Sequence, residues 1–219
     1  MYRHKALSRW ILLLTTACLP AFAATIVITN PSFETTDPMP IPYETGFYNL
    51  GPIPGWTLVG AGPAGSWQAS GPSSFTFIPD GTVIALINGG YLNQVLSDSL
   101  ANSTRYTLTT AIGRRADGFS ADSTIQLLAG GSVIASGTQA VSNITSGGWI
   151  DYSVSYMSGA SDPHVGQPLE IRLLYGGGVG AQSNFDDVRL DATAIPEPAT
   201  CMMIGAALVA LALGRKKRR

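Results

Sequence analysis

The clearest structural signal in this chain is the run Thr104-Arg105-Tyr106-Thr107-Leu108-Thr109-Thr110-Ala111-Ile112. Within it, Tyr106, Leu108 and Thr110 alternate with two threonines and an alanine. Side chains along a strand point to opposite faces in turn, so this pattern predicts a strand with one buried face. No long stretch of residues 25–194 shows helical periodicity. The run therefore indicates an all-β protein.

Similar short runs recur on both sides of it, separated by clusters of Gly, Pro and Asn. Gly130-Gly131, between two such runs, predicts a tight hairpin turn. The pattern predicts one β-sandwich, a jelly roll, over residues 25–194. The predicted strands are residues 25–29, 56–59, 82–87, 91–96, 104–112, 124–129, 132–138, 149–156, 169–175 and 185–191.

The first 24 residues have the three parts of a secretory signal peptide. Arg3, Lys5 and Arg9 are basic, residues 10–19 are mostly apolar, and Ala21-Phe22-Ala23 has small residues at the two positions that signal peptidase reads. We expect signal peptidase to act on this segment during export.

The other end has an unusual order of features. Pro196-Glu197-Pro198 precedes an uncharged apolar segment, residues 199–213, and Arg215-Lys216-Lys217-Arg218-Arg219 ends the chain. As a helix the apolar segment would be roughly 22 Å long, short of the ~30 Å hydrocarbon core. Positive residues stay on the cytoplasmic side of a membrane. A transmembrane helix over 199–213 would therefore keep the basic tail, 215–219, inside and residues 25–194 outside.

This order resembles the PEP-CTERM sorting signal of Gram-negative bacteria, and the resemblance covers residues 195–219. It implies recognition by an exosortase, a membrane protease. It also implies a transient anchor in the inner membrane before delivery to the outer surface or the extracellular matrix. The two prolines fit such a role because they hold the segment before the membrane extended.

Composition limits the function of the body further. Both cysteines lie in the terminal segments, which excludes disulfides, thiolate metal sites and a cysteine nucleophile from residues 25–194. The body carries five arginines, no lysine and thirteen acidic residues, a net charge of about −8. Such a body repels phosphate backbones, so nucleic acid is not expected as a partner.

Five motifs in the body resemble the galactose-binding-like β-sandwich of several carbohydrate-binding modules. They are Asn30-Pro31-Ser32-Phe33-Glu34, Ile53-Pro54-Gly55-Trp56, Tyr91-Leu92-Asn93-Gln94-Val95-Leu96, Thr104-Arg105-Tyr106-Thr107-Leu108 and Asn184-Phe185-Asp186-Asp187-Val188-Arg189-Leu190. The resemblance spans nearly the whole body and implies that the first and last strands are neighbours. It also implies that Trp56 lies in the core.

Some members of that family bind a structural Ca²⁺ where these two strands meet. The resemblance implies Asn30, Glu34 and Asp186 as ligands, since Ca²⁺ takes six to eight oxygen ligands in irregular geometry. By alternation Asp186 shares a face with Val188 and Leu190, where an uncompensated carboxylate is costly. The alternative is that Glu34 and Asp186 only cap turns by accepting backbone hydrogen bonds.

Sugar binding is the function that this resemblance implies. Aromatic rings stack on sugars, and connecting loops lie at the surface. Trp67 and the stretch from Tyr43 to Tyr48 are surrounded by Gly and Pro, so Trp67, Tyr43 and Tyr48 are predicted as exposed carbohydrate-binding residues.

No catalytic residue is predicted. His164 is the only histidine of the body, no Gly-x-Ser-x-Gly motif occurs, and no pair of carboxylates is recognisable. The sequence thus predicts a non-catalytic surface or matrix protein that binds polysaccharide. The alternatives are a structural or adhesive matrix component without a small-ligand site, and an enzyme acting on exopolysaccharide.

Overall fold

The structure, a computed structural model, describes residues 23–37, 41–43, 46–69, 74–177 and 181–195. Thirteen strands and one turn of 3-10 helix, Val141–Asn143, lie within them. The strands are β1 (Ala23–Ile26), β2 (Ile41–Tyr43), β3 (Gly46–Leu50), β4 (Thr57–Val59), β5 (Ala64–Ala69), β6 (Val83–Ile87), β7 (Tyr91–Ser99), β8 (Thr104–Gly113), β9 (Ser123–Ala129), β10 (Ser132–Gln139), β11 (Trp149–Met157), β12 (Pro168–Tyr175) and β13 (Ser183–Ala194).

The strands form two antiparallel sheets that pack face to face. The larger has eight strands in the order β11-β8-β13-β6-β5-β3-β2, with β1 also pairing with β13. The smaller has the order β10-β9-β12-β7-β4. The prediction of an all-β sandwich is confirmed, and the first and last strands are neighbours.

The strand β8 shows why this sequence folds into a sandwich. Tyr106 and Leu108 are buried in the core between the sheets. Thr109 points the other way and shares a hydrogen bond with Ser153 of β11 at 2.8 Å. Apolar residues at alternate positions thus place one face of the sheet in the core.

The core draws on both sheets. It contains Trp56, as predicted, and the ring of Phe33 lies 5.5 Å from that indole. Gly130 and Gly131 both have positive φ and join β9 to β10, which confirms the predicted hairpin. The largest fully buried core side chains include Tyr106, Phe33, Phe185, Ile53, Ile87, Leu92, Leu100, Leu108, Ile112 and Ile125.

A β-bulge in β13 reverses the predicted direction of Asp186. Phe185 pairs with Ile112 and Asp186 with Ala111, but the next residue in register is Arg189. Asp187 takes up the extra residue with φ of 48°. Asp186 is fully buried as expected, yet it lies on the outer face of the large sheet. Simple alternation was wrong here because a bulge places two residues of one strand opposite one of its partner.

This outer face carries a second apolar cluster. Trp67, Phe75, Ile84 and Leu86 form it, and Trp149 packs against it. Phe75 lies 5.7 Å from Trp67 and 4.6 Å from Trp149 between ring centroids. Part of the face opposite the core is therefore covered by aromatic side chains.

Three strands, β2, β3 and β5, were not predicted, and they contain the residues expected in loops. Tyr43 ends β2, Tyr48 lies in β3 and Trp67 lies in β5. Trp67 is 1% exposed, so the prediction of an exposed loop residue was wrong. These strands are short and each contains a Gly or a Pro, so their sequences resemble loops, and pairing with neighbours makes them strands.

No helix in the part of the chain that the structure describes is long and apolar enough to span a membrane. The predicted signal peptide, residues 1–24, falls almost entirely outside the described residues. So do the predicted transmembrane helix over 199–213 and the sorting residues Pro196, Glu197, Pro198, Arg215, Lys216, Lys217, Arg218 and Arg219.

Candidate functional site

A cavity of about 380 Å³ opens on the outer face of the eight-stranded sheet. Strand register builds its floor, because Tyr48 pairs with Trp67 and Leu50 lies two residues further along β3. Leu86 of β6 continues the same face. The loop between β8 and β9 supplies one wall. The lining residues are Tyr48, Leu50, Trp67, Leu86, Asn88, Arg115, Asp117, Phe119 and Gln182.

One wall of the cavity is a chain of hydrogen-bonded polar side chains. Arg115 Nε donates to Asp117 Oδ1 at 3.0 Å, and its Nη2 forms an ion pair with Oδ2 of the same carboxylate. Arg115 Nη1 donates to Gln182 Oε1 at 3.1 Å. Gln182 Nε2 in turn donates to Asn88 Oδ1 at 2.9 Å. Four side chains from three separate segments are thus fixed relative to one another.

The ion pair with Arg115 favours the ionised form of Asp117. Burial alone would raise the pKa of Asp117. The hydrogen bonds from Arg115 and from the Phe119 N–H, together with the arginine charge, outweigh burial and hold that pKa below its usual value. Asp117 is therefore a carboxylate at neutral pH, and 37% of its side chain is exposed. It can accept a proton or face a positive charge, but it cannot act as a general acid.

The aromatic side chains of the cavity already hold one cation. The guanidinium carbon of Arg115 lies 4.7 Å from the Trp67 ring centroid and 5.2 Å from that of Phe119. Aromatic faces attract cations through their quadrupole. The pocket surface thus combines apolar area with electron-rich ring faces.

Backbone contacts fix the loop that carries the wall. Ser120 Oγ accepts from the Arg115 N–H at 2.8 Å, and Asp117 Oδ1 accepts from the Phe119 N–H at 3.0 Å. The Ala121 N–H donates to the carbonyl of Gln182 at 2.8 Å, which ties the loop to the start of β13. The site is therefore preformed, as most small-molecule sites are.

The predicted calcium ligands are each held by other partners. The Asn30 amide bonds Thr35 and the Pro54 carbonyl. Glu34 Oε1 accepts from the backbone N–H groups of Thr82 and Val83, both at 2.7 Å. No cluster of three or more His, Cys, Asp or Glu side chains suited to a metal occurs among the described residues.

Asp186 has the most perturbed environment of the three. Its two carboxylate oxygens accept from the N–H groups of Asp80 at 3.0 Å and Asp187 at 2.8 Å. Burial raises the pKa of Asp186 to about 7, and the neighbouring Asp80 and Asp187 charges add to that effect. Ser32 Oγ bonds Asp80 at 2.5 Å. The turn-capping alternative thus describes the hydrogen bonds of Glu34 and Asp186 in this structure.

Two of the three predicted aromatic binding residues meet in the cavity. Tyr48 and Trp67 line it side by side, while Tyr43 lies in β2 and its side chain is outside the described part. That any of these residues binds a sugar stays a prediction. Sequence reasoning missed Arg115, Asp117 and Gln182. The doublet Arg114-Arg115, in a body with five basic residues, was the available signal.

Comparison with known proteins identifies a family. The model of the HpiC1-like family, described as HpiC1 cyclase, matches residues 24–191. No curated protein sequence matches the chain. Residues 24–191 include every side chain that lines the cavity.

Three crystal structures of cyclases resemble the protein. An apo cyclase from Fischerella sp. is 27% identical with a TM-score of 0.68, over 80% of this chain and 98% of that one. The Stig cyclase Fisc from Fischerella sp. TAU, in complex with (3Z)-3-(1-methyl-2-pyrrolidinylidene)-3H-indole, has the same identity and TM-score over 80% and 100%. A cyclase from Fischerella sp. TAU in complex with 4-(1H-indol-3-yl)butan-2-one is 26% identical with a TM-score of 0.65, again over 80% and 100%.

These matches overturn four conclusions drawn from the sequence. The identification as a PEP-CTERM protein with a galactose-binding-like ectodomain was wrong, because the matching family is one of cyclases. The non-catalytic role was wrong for the same reason, and so was the assignment to a polysaccharide-binding matrix. The statement that the protein is not an enzyme was wrong as well. The chain belongs to the HpiC1-like family of cyclases.

Proposed function

We propose that this protein is a cyclase that binds a small aromatic molecule, of the size of a substituted indole, in the cavity on the outer face of the large sheet and closes a ring in it. The observation that carries the proposal is the cavity itself, which is apolar and aromatic on most sides and polar on one wall. The similarity of the chain to cyclases solved with indole compounds supports the choice of ligand class.

The size and lining of the cavity suit such a ligand. Its volume of about 380 Å³ falls within the ~300–1,000 Å³ typical of small-molecule sites. Tyr48, Trp67 and Phe119 offer ring faces, and Leu50 and Leu86 offer aliphatic contacts. Burial of an indole against these groups would supply most of the binding free energy.

The polar wall suits the charge that ring closure creates. When an indole carbon attacks an electrophilic alkene or carbonyl carbon of the side chain, a C–C bond forms and the π bond of that carbon breaks. The electron pair of the π bond takes up a proton from solvent, and the indole ring becomes positively charged. Loss of a ring proton then restores aromaticity. Asp117, held as a carboxylate by Arg115, would stabilise that charge and accept that proton. Arg115, Gln182 and Asn88 would orient the polar group of the ligand.

Ligand-observed NMR of 4-(1H-indol-3-yl)butan-2-one in the presence of the full chain tests whether the protein binds such a ligand. We expect Tyr48→Ala to weaken binding about tenfold. Phe47→Ala is the matched control because Phe47 is the adjacent residue of β3, points to the other side and lines a different groove. Equal affinities for the two variants would place the ligand elsewhere, and no binding by the unmodified chain would overturn the proposal.

Turnover is tested separately with a panel of indoles that carry an alkene or carbonyl side chain. A cyclised isomer has the same mass as its substrate, so a new chromatographic peak at unchanged mass is the expected result. Asp117→Asn should lower kcat more than it changes KM, since the carboxylate acts on the charged intermediate. An unchanged kcat would remove Asp117 from the reaction.

We also propose that the sandwich is of the jelly-roll type and that a calcium ion can bind beside Asp186. The neighbouring first and last strands support the former. The buried Asp186 carboxylate supports the latter, because a cation would offset its charge. Thermal unfolding with and without added Ca²⁺ tests this, and an unchanged Tm would contradict it.

Export across the inner membrane is likewise proposed on the features of residues 1–24. The family match begins at residue 24, directly after Ala21-Phe22-Ala23, and this supports cleavage by signal peptidase at that motif. N-terminal sequencing of the protein from its native cells tests this. An intact Met1 would contradict it.

A further inference from the structure

Asn88 lines the cavity and is followed directly by a glycine. The amide carbon of an asparagine side chain can be attacked by the backbone nitrogen of the next residue. Glycine hinders this attack least, because it has no Cβ and a freely adjustable backbone. Asn88-Gly89 is the only Asn-Gly pair in the sequence. The pair therefore brings a chemically labile amide to the surface of the cavity.

Packing requires a glycine at position 89. A Cβ on Gly89 would lie 2.4 Å from the carbonyl oxygen of Ala61. A Cβ on Gly62 would likewise lie 2.7 Å from the Cα of Gly89. The turn after β6 and the turn after β4 thus touch through their backbones. A larger residue at position 89 would push these turns apart, so the fold retains the residue that makes Asn88 labile.

The contacts of Asn88 suit such a reaction. Its Oδ1 accepts from Gln182 Nε2 at 2.9 Å, and this hydrogen bond draws electrons away from Cγ, the atom that is attacked. Among the described residues, neither the Gly89 N–H, which is the nucleophile, nor Asn88 Nδ2, which leaves, donates a hydrogen bond. The Asn88 N–H donates to the Pro63 carbonyl at 2.9 Å and holds the residue in place. The attacked carbon is therefore polarised, and the two nitrogens that react are unbound.

We propose that Asn88 is a site of spontaneous deamidation in the folded protein, and that the product changes the charge of the cavity. The Gly89 nitrogen forms a bond to Asn88 Cγ, the bond from Cγ to Nδ2 breaks, and Nδ2 leaves as ammonia with the proton of the Gly89 N–H. Water then opens the cyclic imide at either carbonyl, which gives an aspartate or an isoaspartate. The overall reaction consumes one water and releases one ammonia, so it needs no other reactant.

The new carboxylate makes the cavity anionic. Arg115 and Asp117 are the charged groups among its described lining residues, and their charges cancel. An aspartate at this position is ionised at neutral pH and can still accept the hydrogen bond from Gln182. Negative charge beside the aromatic faces of the cavity favours cations, which those faces also attract. The deamidated protein should therefore prefer positively charged aromatic ligands.

Mass spectrometry of the full folded chain, incubated at pH 8, tests the modification. We expect the peptide that contains Asn88 to gain about 1 Da and to separate into aspartate and isoaspartate forms. Asn143 is the internal control, because it is exposed but is followed by the β-branched Ile144. Its peptide should stay unchanged over the same time, and Asn88→Gln should remove the mass gain. An intact Asn88, or a gain at Asn143 that is equally fast, would overturn the assignment.

A pair of variants tests the change of charge. Asn88→Asp and Asn143→Asp add the same charge, the first in the cavity and the second on the 3-10 turn. The probes are phenethylamine, a cation at neutral pH, and the neutral phenethyl alcohol, followed by ligand-observed NMR. We expect only Asn88→Asp to bind the cation more tightly than the unmodified chain, by about fivefold, with little change for the alcohol. No gain in Asn88→Asp, or an equal gain in both variants, overturns the effect on the cavity. This effect rests on the proposed function, whereas the mass gain does not.

Discussion

Gln182 accepts a hydrogen bond from Arg115 Nη1 at 3.1 Å and so joins the start of the last strand to the loop after β8. The two residues are far apart in the chain, and the bond is buried. The same glutamine donates to Asn88 at 2.9 Å, and the ion pair with Asp117 lies on the other side of Arg115. Gln182 is therefore the central member of the polar wall.

Gln182→Leu should weaken ligand binding more than folding. The variant leaves the Arg115–Asp117 ion pair intact but removes the hydrogen bonds that Gln182 makes with Arg115 Nη1 and with Asn88 Oδ1. A loss of about 1–2 kcal/mol of stability is expected from these broken bonds. Binding of the indole probe should fall about tenfold, because the wall loses its fixed geometry. Gln126→Leu, on the outer face of the small sheet, is the control, and equal effects in both variants would contradict the assignment.

Asp117→Asn should lower the free energy of unfolding at neutral pH and remove a contribution to stability that is lost in acid. The folded-state pKa of Asp117 lies below its unfolded value, so its stabilisation is fully present above pH ~4 and is lost as pH falls through the lowered value. The carboxylate is partly exposed, so a discounted effect of about 1 kcal/mol at pH 7 is expected. Urea unfolding at pH 7 and pH 3 measures it. A difference between variant and unmodified chain that is the same at both pH values would contradict the role of the ion pair.

The sandwich could be predicted from the sequence because its main strands are long enough to show their pattern. Residues 104–112 and 169–175 alternate or stay apolar over a whole strand, and the structure has strands at both places. The bulge at Asp187 could not be predicted, since a positive φ at one aspartate follows from its contacts and not from any local pattern.

The site was harder to predict from the sequence than the sandwich. Its apolar walls come from Trp67, which was expected in an exposed loop, and from Leu86, which lies in a predicted strand. Both are buried on the second face of the sheet. Its polar wall joins Arg115 to Gln182, and only the folded sheet brings these together. The sequence shows no recognisable carboxylate pair and one lone histidine in the body, whereas the chemistry of this cavity depends on its shape and one ion pair.

The raised pKa of Asp186 predicts that the free energy of unfolding decreases as pH rises. Its folded-state pKa of about 7 exceeds the unfolded value of 3.8, so the folded state binds more protons between these values. Stability should fall as pH rises from 4 to 7, by about 4 kcal/mol at most for a shift of this size. Urea unfolding at pH 5 and pH 7.5 should show the decrease. Asp186→Asn should remove it, whereas Asp98→Asn on the exposed end of β7 should leave it. A decrease that persists in Asp186→Asn would assign it to another group.

Gly113→Ala tests the aromatic cover of the outer face. Gly113 has an ordinary extended backbone, but an added Cβ would lie 2.7 Å from the Trp149 ring and 2.9 Å from Phe75. Both rings must move, and a loss of about 1–3 kcal/mol is expected from this overpacking. Because Phe75 also contacts Trp67, the displacement should reach the cavity and weaken binding of the indole probe. Gly159→Ala is the matched control, since no atom lies within 4 Å of its added Cβ. Thermal unfolding and probe affinity measure the two effects. An unchanged Tm in Gly113→Ala would mean that the two rings move without loss of stability. An unchanged affinity for the indole probe would mean that the cavity does not depend on the position of these rings.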